Sequence, residues 1–199
     1  MTVIIGMKAN NKVYMGCDSV FLCGQQITRR SQSKLLIKDE LLIGFTTSGS
    51  RILQVVNHKL KLPSTRKLKT EELEGYLATI FCSKLYKLLD MERLLVNDSD
   101  RKDSEPCMSP ARLLIGIRDR LFEVGEDFDV SEIPTDYYAV GSGEPISLGC
   151  LEATTSLLPQ FGPEDHLIFA LKTVTKHIAA IQGPYQLANT GDLCLSTHL

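Results

Sequence analysis

The sequence predicts an α+β protein made of two mainly antiparallel sheets covered by helices. Three observations carry that prediction. Short apolar runs arrive in hairpin pairs around turn-forming residues. Helices arrive in pairs rather than as single crossovers between strands. The chain of 199 residues shows no internal repeat or linker. A doubly wound parallel sheet alternates strand and crossover helix one for one, whereas hairpins followed by helix pairs suit antiparallel sheets with helices stacked on them. At 43% hydrophobic content, residues 1–199 fit one domain with a core of ordinary size.

Taken in order, residues 2–8 and 12–18 are strand-like runs separated by Asn10-Asn11, which tolerates the left-handed turn of a hairpin. Residues 19–32 are polar and irregular and read as an extended connection, with Arg29 and Arg30 solvated. Residues 33–38 and 41–46 form a second hairpin about Asp39-Glu40. Thr47-Ser48-Gly49-Ser50 breaks the strand and opens a helix to about Leu60, ahead of Pro63. After a Lys-rich loop, Thr70 is a candidate N-cap, and Glu71 and Glu72 sit where the helix dipole favours carboxylates. Leu73, Leu77, Ile80, Phe81, Leu85, Leu88 and Leu89 follow at helical spacing, predicting one amphipathic helix to about Leu95. That stripe is core or subunit interface.

Residues 97–109 are charged and read as a surface excursion. Strands return at 111–118 and 120–125 around an Asp119 turn, and again at 137–140 before Gly141-Ser142-Gly143-Glu144-Pro145. A helix is expected over 145–157. A second opens at Gly162-Pro163, with Glu164 and Asp165 in its first turn, and ends near residues 181–183. The tail, residues 191–197, alternates like a last strand.

Composition excludes several functions. A net charge of −2 and a pI near 6.1 supply no basic field for nucleic acid or an anionic membrane. No apolar run approaches the ~18–20 residues of a membrane span, and the N-terminal residues lack a signal-peptide layout, so the expected compartment is the cytoplasm. Cys17, Cys23, Cys82, Cys107, Cys150 and Cys194 show no CxxC spacing and form no ligand pattern with His58, His166, His177 and His198. They read as reduced, mostly buried small hydrophobes, and neither metal nor organic cofactor is expected.

The chemistry begins at Thr2. If Met1 is removed, Thr2 combines a hydroxyl nucleophile with an α-amine whose ordinary pKa is about 7.7–8.0, both halves of a nucleophile–base pair in one residue. Five stretches then occur in order: Thr2-Val3-Ile4-Ile5-Gly6; Val13 to Ser19, with Asp18 near its end; Lys34-Leu35-Leu36-Ile37 followed by residues 41–49; Ala139-Val140-Gly141-Ser142-Gly143; and Gly191 to Leu195. In that order and spacing, over nearly the whole chain, they resemble the proteasome β-subunit family of N-terminal nucleophile hydrolases, including the bacterial HslV peptidases.

The resemblance implies a four-layer αββα fold and a threonine peptidase. Thr2 Oγ would attack a peptide carbonyl, its own amine taking the proton directly or through a water. Lys34 would favour the deprotonated forms of both groups, held by Asp18 as charge partner. The Gly49 or Ser48 N–H would donate to the tetrahedral oxyanion. Ser142 would orient the amine, and Thr46 and Ser50 would face the substrate pocket. It further implies homo-oligomeric rings with contacts through helices 48–60 and 70–95, peptide or unfolded-protein substrates, and, by analogy alone, an ATP-driven unfoldase. Each residue has a plainer reading: Asp18 as a strand end, Lys34 as a solvated strand residue, and Gly141-Ser142-Gly143 as a tight turn or weak phosphate cradle. The sequence departs from the family at Val20, where a basic residue is common, at Ser48, and late in the chain, where Gln186 and Asn189 are amides with no assigned role. A non-catalytic structural or assembly subunit with a masked Thr2, and an amidohydrolase acting on a small amide, are the rival functions.

Overall fold

The N-terminal hairpin forms where Asn10-Asn11 predicts it. β1 (Val3–Ala9) and β2 (Lys12–Cys17) pair antiparallel from Ile4 opposite Cys17 to Ala9 opposite Lys12. Asn10 and Asn11 take φ of 52° and 57°, the left-handed pair whose twist matches the flanking strands. The computed structural model describes residues 1–23, 26–29, 32–47, 49–97 and 107–199. Ser48, Arg30 and most of the 97–109 excursion therefore lie outside the described residues.

Read from sequence, residues 19–32 form an irregular connection; in the structure they carry a short hairpin, β3 (Val20–Cys23) with β4 (Gln26–Arg29). The polar character of the segment conceals the apolar start at Val20-Phe21, and Phe21 is buried in the core. β5 (Leu35–Lys38) and β6 (Leu41–Phe45) make the second expected hairpin, with Asp39 at φ 54°. α1 (Ser50–Lys59) follows.

The long amphipathic helix is present but shorter and less regular than its spacing predicts. A 3₁₀ turn (Thr70–Glu72) leads into α2 (Leu73–Tyr76), a π-helical segment (Leu77–Phe81) and α3 (Cys82–Met91). Thr70 lies inside the first turn rather than capping it; the Lys69 N–H is capped by Glu72 Oε2 at 2.6 Å. The run stops short of Leu95 because Arg93 takes φ 54° and Arg93 and Leu94 N–H turn back to Asp90 and Leu89 carbonyls.

β7 (Leu113–Ile117), β8 (Arg120–Val124), a short unanticipated β9 (Val130–Glu132) and β10 (Tyr137–Gly141) come next. α4 (Glu144–Leu157) and α5 (Pro163–His177) form the second helix pair. α5 ends well before residues 181–183: Ile178 leaves helical geometry at φ −124°, ψ 100°, and Ile181 N–H closes onto Ile178 O, seating Ile181 in the core. β11 (Tyr185–Asn189), unmarked by any sequence pattern, pairs with β2, and β12 (Ser196–His198) with β11. Residues 191–195 are not the expected closing strand. Asn189 Oδ1 accepts the Gly191 and Asp192 N–H groups, and Leu193 takes φ 46°, which folds the tail into a turn.

Two five-stranded antiparallel sheets result, ordered β10-β1-β2-β11-β12 and β5-β6-β7-β8-β9. Side chains alternate along β1: Val3, Ile5 and Met7 pack beneath α4 and α5, while Ile4 packs with Met15, Leu42 and Leu114 between the sheets. On the far side Leu41, Ile43 and Phe45 of β6 pack with Leu53, Val56, Phe81 and Leu85 of the other helical layer. The fold is thus an α+β, four-layer αββα sandwich. Both faces of each sheet are covered, so β1 and β6 read as unbroken apolar runs, each buried large side chain contributing about 1.5–3 kcal/mol. Among the described residues no helix is long and apolar enough to cross a membrane.

Candidate active site

Three strand ends converge on Thr2. The pairing of Ile4 with Cys17 sets Thr2 beside Asp18, the residue after β2. The pairing of Val3 with Gly141 sets Thr2 beside Ser142, the residue after β10. Lys34 immediately precedes β5. Register within one sheet therefore gathers Thr2, Asp18 and Ser142, and the packing of the second sheet on it brings Lys34.

Thr2 Oγ1 donates to Asp18 Oδ1 at 2.7 Å, and the Val3 N–H donates to the same oxygen at 3.1 Å. The other oxygen, Oδ2, accepts from Lys34 Nζ at 2.7 Å and from the Val20 N–H at 3.2 Å. Lys34 Nζ also donates to Val20 O at 2.6 Å and lies 5.1 Å from the centre of the Phe21 ring. Asp18 and Lys34 are 0% exposed and Thr2 is 3% exposed. A buried ion pair persists only when its remaining donors and acceptors are occupied, and here the Thr2 hydroxyl and the backbone of Val3 and Val20 occupy them. The contacts linking Thr2 to Lys34 run through the carboxylate, which lies between them. Lys34 is a buried member of this group rather than a solvated strand residue, and Asp18 does more than end β2.

Ser142 faces the other side of Thr2. Its Oγ accepts from the Thr2 N–H at 3.2 Å and donates to Thr2 O at 3.1 Å. Gly141 takes φ 101°, and a Cβ there would stand 2.5 Å from Thr2 O, so the approach of β10 to Thr2 needs glycine on two counts. The Thr2 nitrogen is a peptide N–H to Met1, whose side chain projects outward at 54% exposure.

The remaining predicted residues lie outside this hydrogen-bonded group. Gly49, at the N-cap of α1, donates its N–H to Thr47 Oγ1 at 3.1 Å, and that hydroxyl donates to Gly49 O. Thr46 spends its hydroxyl on backbone: Oγ1 donates to Arg112 O at 2.9 Å and accepts the Arg112 N–H at 3.0 Å. Its methyl lies 3.3 Å from where a Gly141 Cβ would stand. Ser50 is buried as the first residue of α1.

Cys17 adjoins the site without competing as a nucleophile: burial and the Asp18 charge push its thiol up to about 12, and Lys34 offsets only part of this. Gln186 of β11, opposite Cys17 of β2, presents Oε1 3.9 Å from its Sγ. Asn189 lies at the other end of the strand, opposite Tyr14, and is a turn residue.

Sequence reasoning misses Arg112. Its guanidinium Nε meets Glu123 Oε1 at 2.8 Å, with Nη2 on the same oxygen, and its Nη1 meets Glu144 Oε2 at 3.0 Å. Its residue spacing to either partner carries no signal, because the contact exists only once β7, β8 and α4 are assembled. Beside it opens a cavity of about 810 Å³, lined also by Glu123, Glu126, Asp127 and Asp129.

No protein-family model and no curated protein matches the sequence. Solved structures do. Thiobacillus denitrificans BPH superposes with a TM-score of 0.74 at 18% identity, covering 94% of this chain and 97% of that one. The same protein in complex with Epoxomicin gives 0.74 at 20% identity over the same shares. Eukaryotic HslV from Trypanosoma brucei gives 0.61 at 18% identity, covering 94% of this chain and 98% of that one. The chain therefore has the αββα fold of the HslV-like N-terminal nucleophile proteins.

Proposed function

We propose that residues 1–199 form one proteasome-like domain acting as a cytoplasmic threonine peptidase once Met1 has been removed. The observation that carries this reading is the buried chain from Thr2 Oγ1 through Asp18 to Lys34, with Ser142 on the Thr2 nitrogen. In the proposed reaction Thr2 Oγ bonds to the substrate carbonyl carbon and its proton passes to the freed Thr2 amine. Collapse of the tetrahedral intermediate breaks the C–N bond, the leaving amine takes that proton, and water hydrolyses the Thr2 ester. Asp18 and Lys34 hold the hydroxyl and bias its charge environment. Ser142 orients the amine. Gly49 N–H supplies an oxyanion donor after exchanging Thr47 Oγ1 for the substrate oxygen; such a donor is typically worth ~10²–10³ in rate. Homo-oligomeric rings, unfolded or peptide substrates and an ATP-driven unfoldase belong to the same proposal.

The test starts from intact mass. Chain lacking Met1 is expected to hydrolyse short peptides and to gain the mass of Epoxomicin, the compound held by the Thiobacillus protein. Thr2→Ala is expected to do neither while assembling as before. Activity that survives Thr2→Ala ends the proposal. A second reading, a structural subunit with a masked Thr2, draws on the occupied Gly49 amide and the burial of Thr2; a mass that retains Met1 after normal cellular processing selects it.

A further inference from the structure

We propose that Arg112 is a positioning residue for the Thr2 site, aligning the two loops that flank the nucleophile; the inference rests on the threonine-peptidase reading. One loop is Gly141-Ser142-Gly143, which carries the hydroxyl on the Thr2 nitrogen. Glu144 follows it directly as the first residue of α4, and Arg112 Nη1 holds Glu144 Oε2 at 3.0 Å. The other is the turn after β6, which leads through Thr46 and Thr47 to the Gly49 amide. The Arg112 backbone holds that turn from both sides, donating N–H to Thr46 Oγ1 and accepting Thr46 N–H at 3.0 Å and Thr46 Oγ1 at 2.9 Å.

Arg112 thus spans the sandwich. It immediately precedes β7 and Glu123 lies in β8, both of the sheet of β5–β9, and Glu144 opens the helix lying on the sheet of β1. An exposed ion pair contributes little to stability, but this guanidinium is only a third exposed, its partners less so, and its planar fork meets carboxylates from two layers at once. The planar donor fixes direction as well as distance, which suits holding Ser142 and Gly49 at a set separation across Thr2.

Glu144→Gln removes the charge while keeping the side-chain shape. It is expected to lower kcat on a short peptide about tenfold, the equivalent of ~1.4 kcal/mol of lost transition-state alignment, with KM within about twofold. The acid limb of kcat/KM is expected to move by about half a pH unit or more, because Ser142 contacts the proposed base. Hydrogen exchange over residues 141–147 is expected to rise. Arg112→Met is expected to behave alike, and Arg112→Lys to recover part of the rate. If Arg112→Met does not fold, Glu144→Gln alone decides. A folded Glu144→Gln with unchanged kcat and pH profile overturns the inference, as does lower thermal stability with both intact. Wild-type chain with a free Thr2 that neither cleaves peptide nor takes Epoxomicin overturns the parent reading together with this one; an active wild type beside an unaffected variant overturns this one alone.

Discussion

Asp18 and Lys34 are each fully buried, and each leaves the other uncompensated if removed. Asp18→Ala or Lys34→Met is therefore expected to destabilise the fold by about 3–5 kcal/mol in urea titration. The double variant Asp18→Ala/Lys34→Met, with no charge left to strand, is expected to recover much of that stability while leaving peptide hydrolysis absent. Recovered hydrolysis would show the pair to be scaffolding only. Gly141→Ala is expected to impair both properties, since its φ of 101° and the 2.5 Å approach to Thr2 O leave no room for a methyl. At this scale the sequence was informative where residues sit at strand ends. Thr2, Asp18 and Ser142 are brought together by register within one sheet, while Lys34 arrives with the facing sheet. The β1–β2 register follows from the Asn10-Asn11 turn that can be read in the sequence. The partners of the Thr46 hydroxyl and of the Arg112 guanidinium were not legible. Which way a threonine turns its hydroxyl, and which carboxylates an arginine finds, depends on chain segments distant in sequence.

Elements were legible where a turn residue announces them and obscure where tertiary packing makes them. Asn10-Asn11 and Asp39 fixed two hairpins. β3 owes its existence to Phe21 reaching the core, and β11 to a vacant edge of β2, neither of which has a local pattern. The loop between α1 and α2 shows how one side chain can order a segment of low hydrophobicity. Glu40, in the turn of the β5–β6 hairpin, accepts from Thr65 N–H at 3.0 Å, from Thr65 Oγ1 at 2.5 Å and from Arg66 Nε at 2.6 Å. Burial alone raises its carboxyl, but the bonds from Thr65, Arg66 and Ser64 together outweigh it and hold it below the usual carboxylate range. A carboxyl depressed in the folded state adds stability above its unfolded value, near 4.3, and loses that contribution as pH falls through the folded value. Glu40→Gln is thus expected to lower Tm at pH 7, with the gap to wild type narrowing as the pH falls below the usual carboxylate range. A gap unchanged by pH would remove the charge from the account.

For the whole molecule, the αββα layering places helices on both outer surfaces, with Met91, Leu157 and Phe169 exposed on them. A ring would cover part of that surface, so sedimentation is expected to give a species several times the 22.1 kDa chain, with Met91→Glu shifting it toward smaller forms if α3 lies at the contact. A wild-type monomer would remove the closed chamber from the proposed function. The inner interface sets a different kind of limit. A side chain begun at Gly44 of β6 would run into Ile4 Cγ2 of β1 and into Met15 and Leu35. Positions 4 and 44, far apart in sequence, draw on one shared volume. Across descendants of this chain they are expected to vary as a pair, a larger residue at 44 surviving only alongside a smaller one at 4, so that related sequences would carry a record of how closely the two sheets approach.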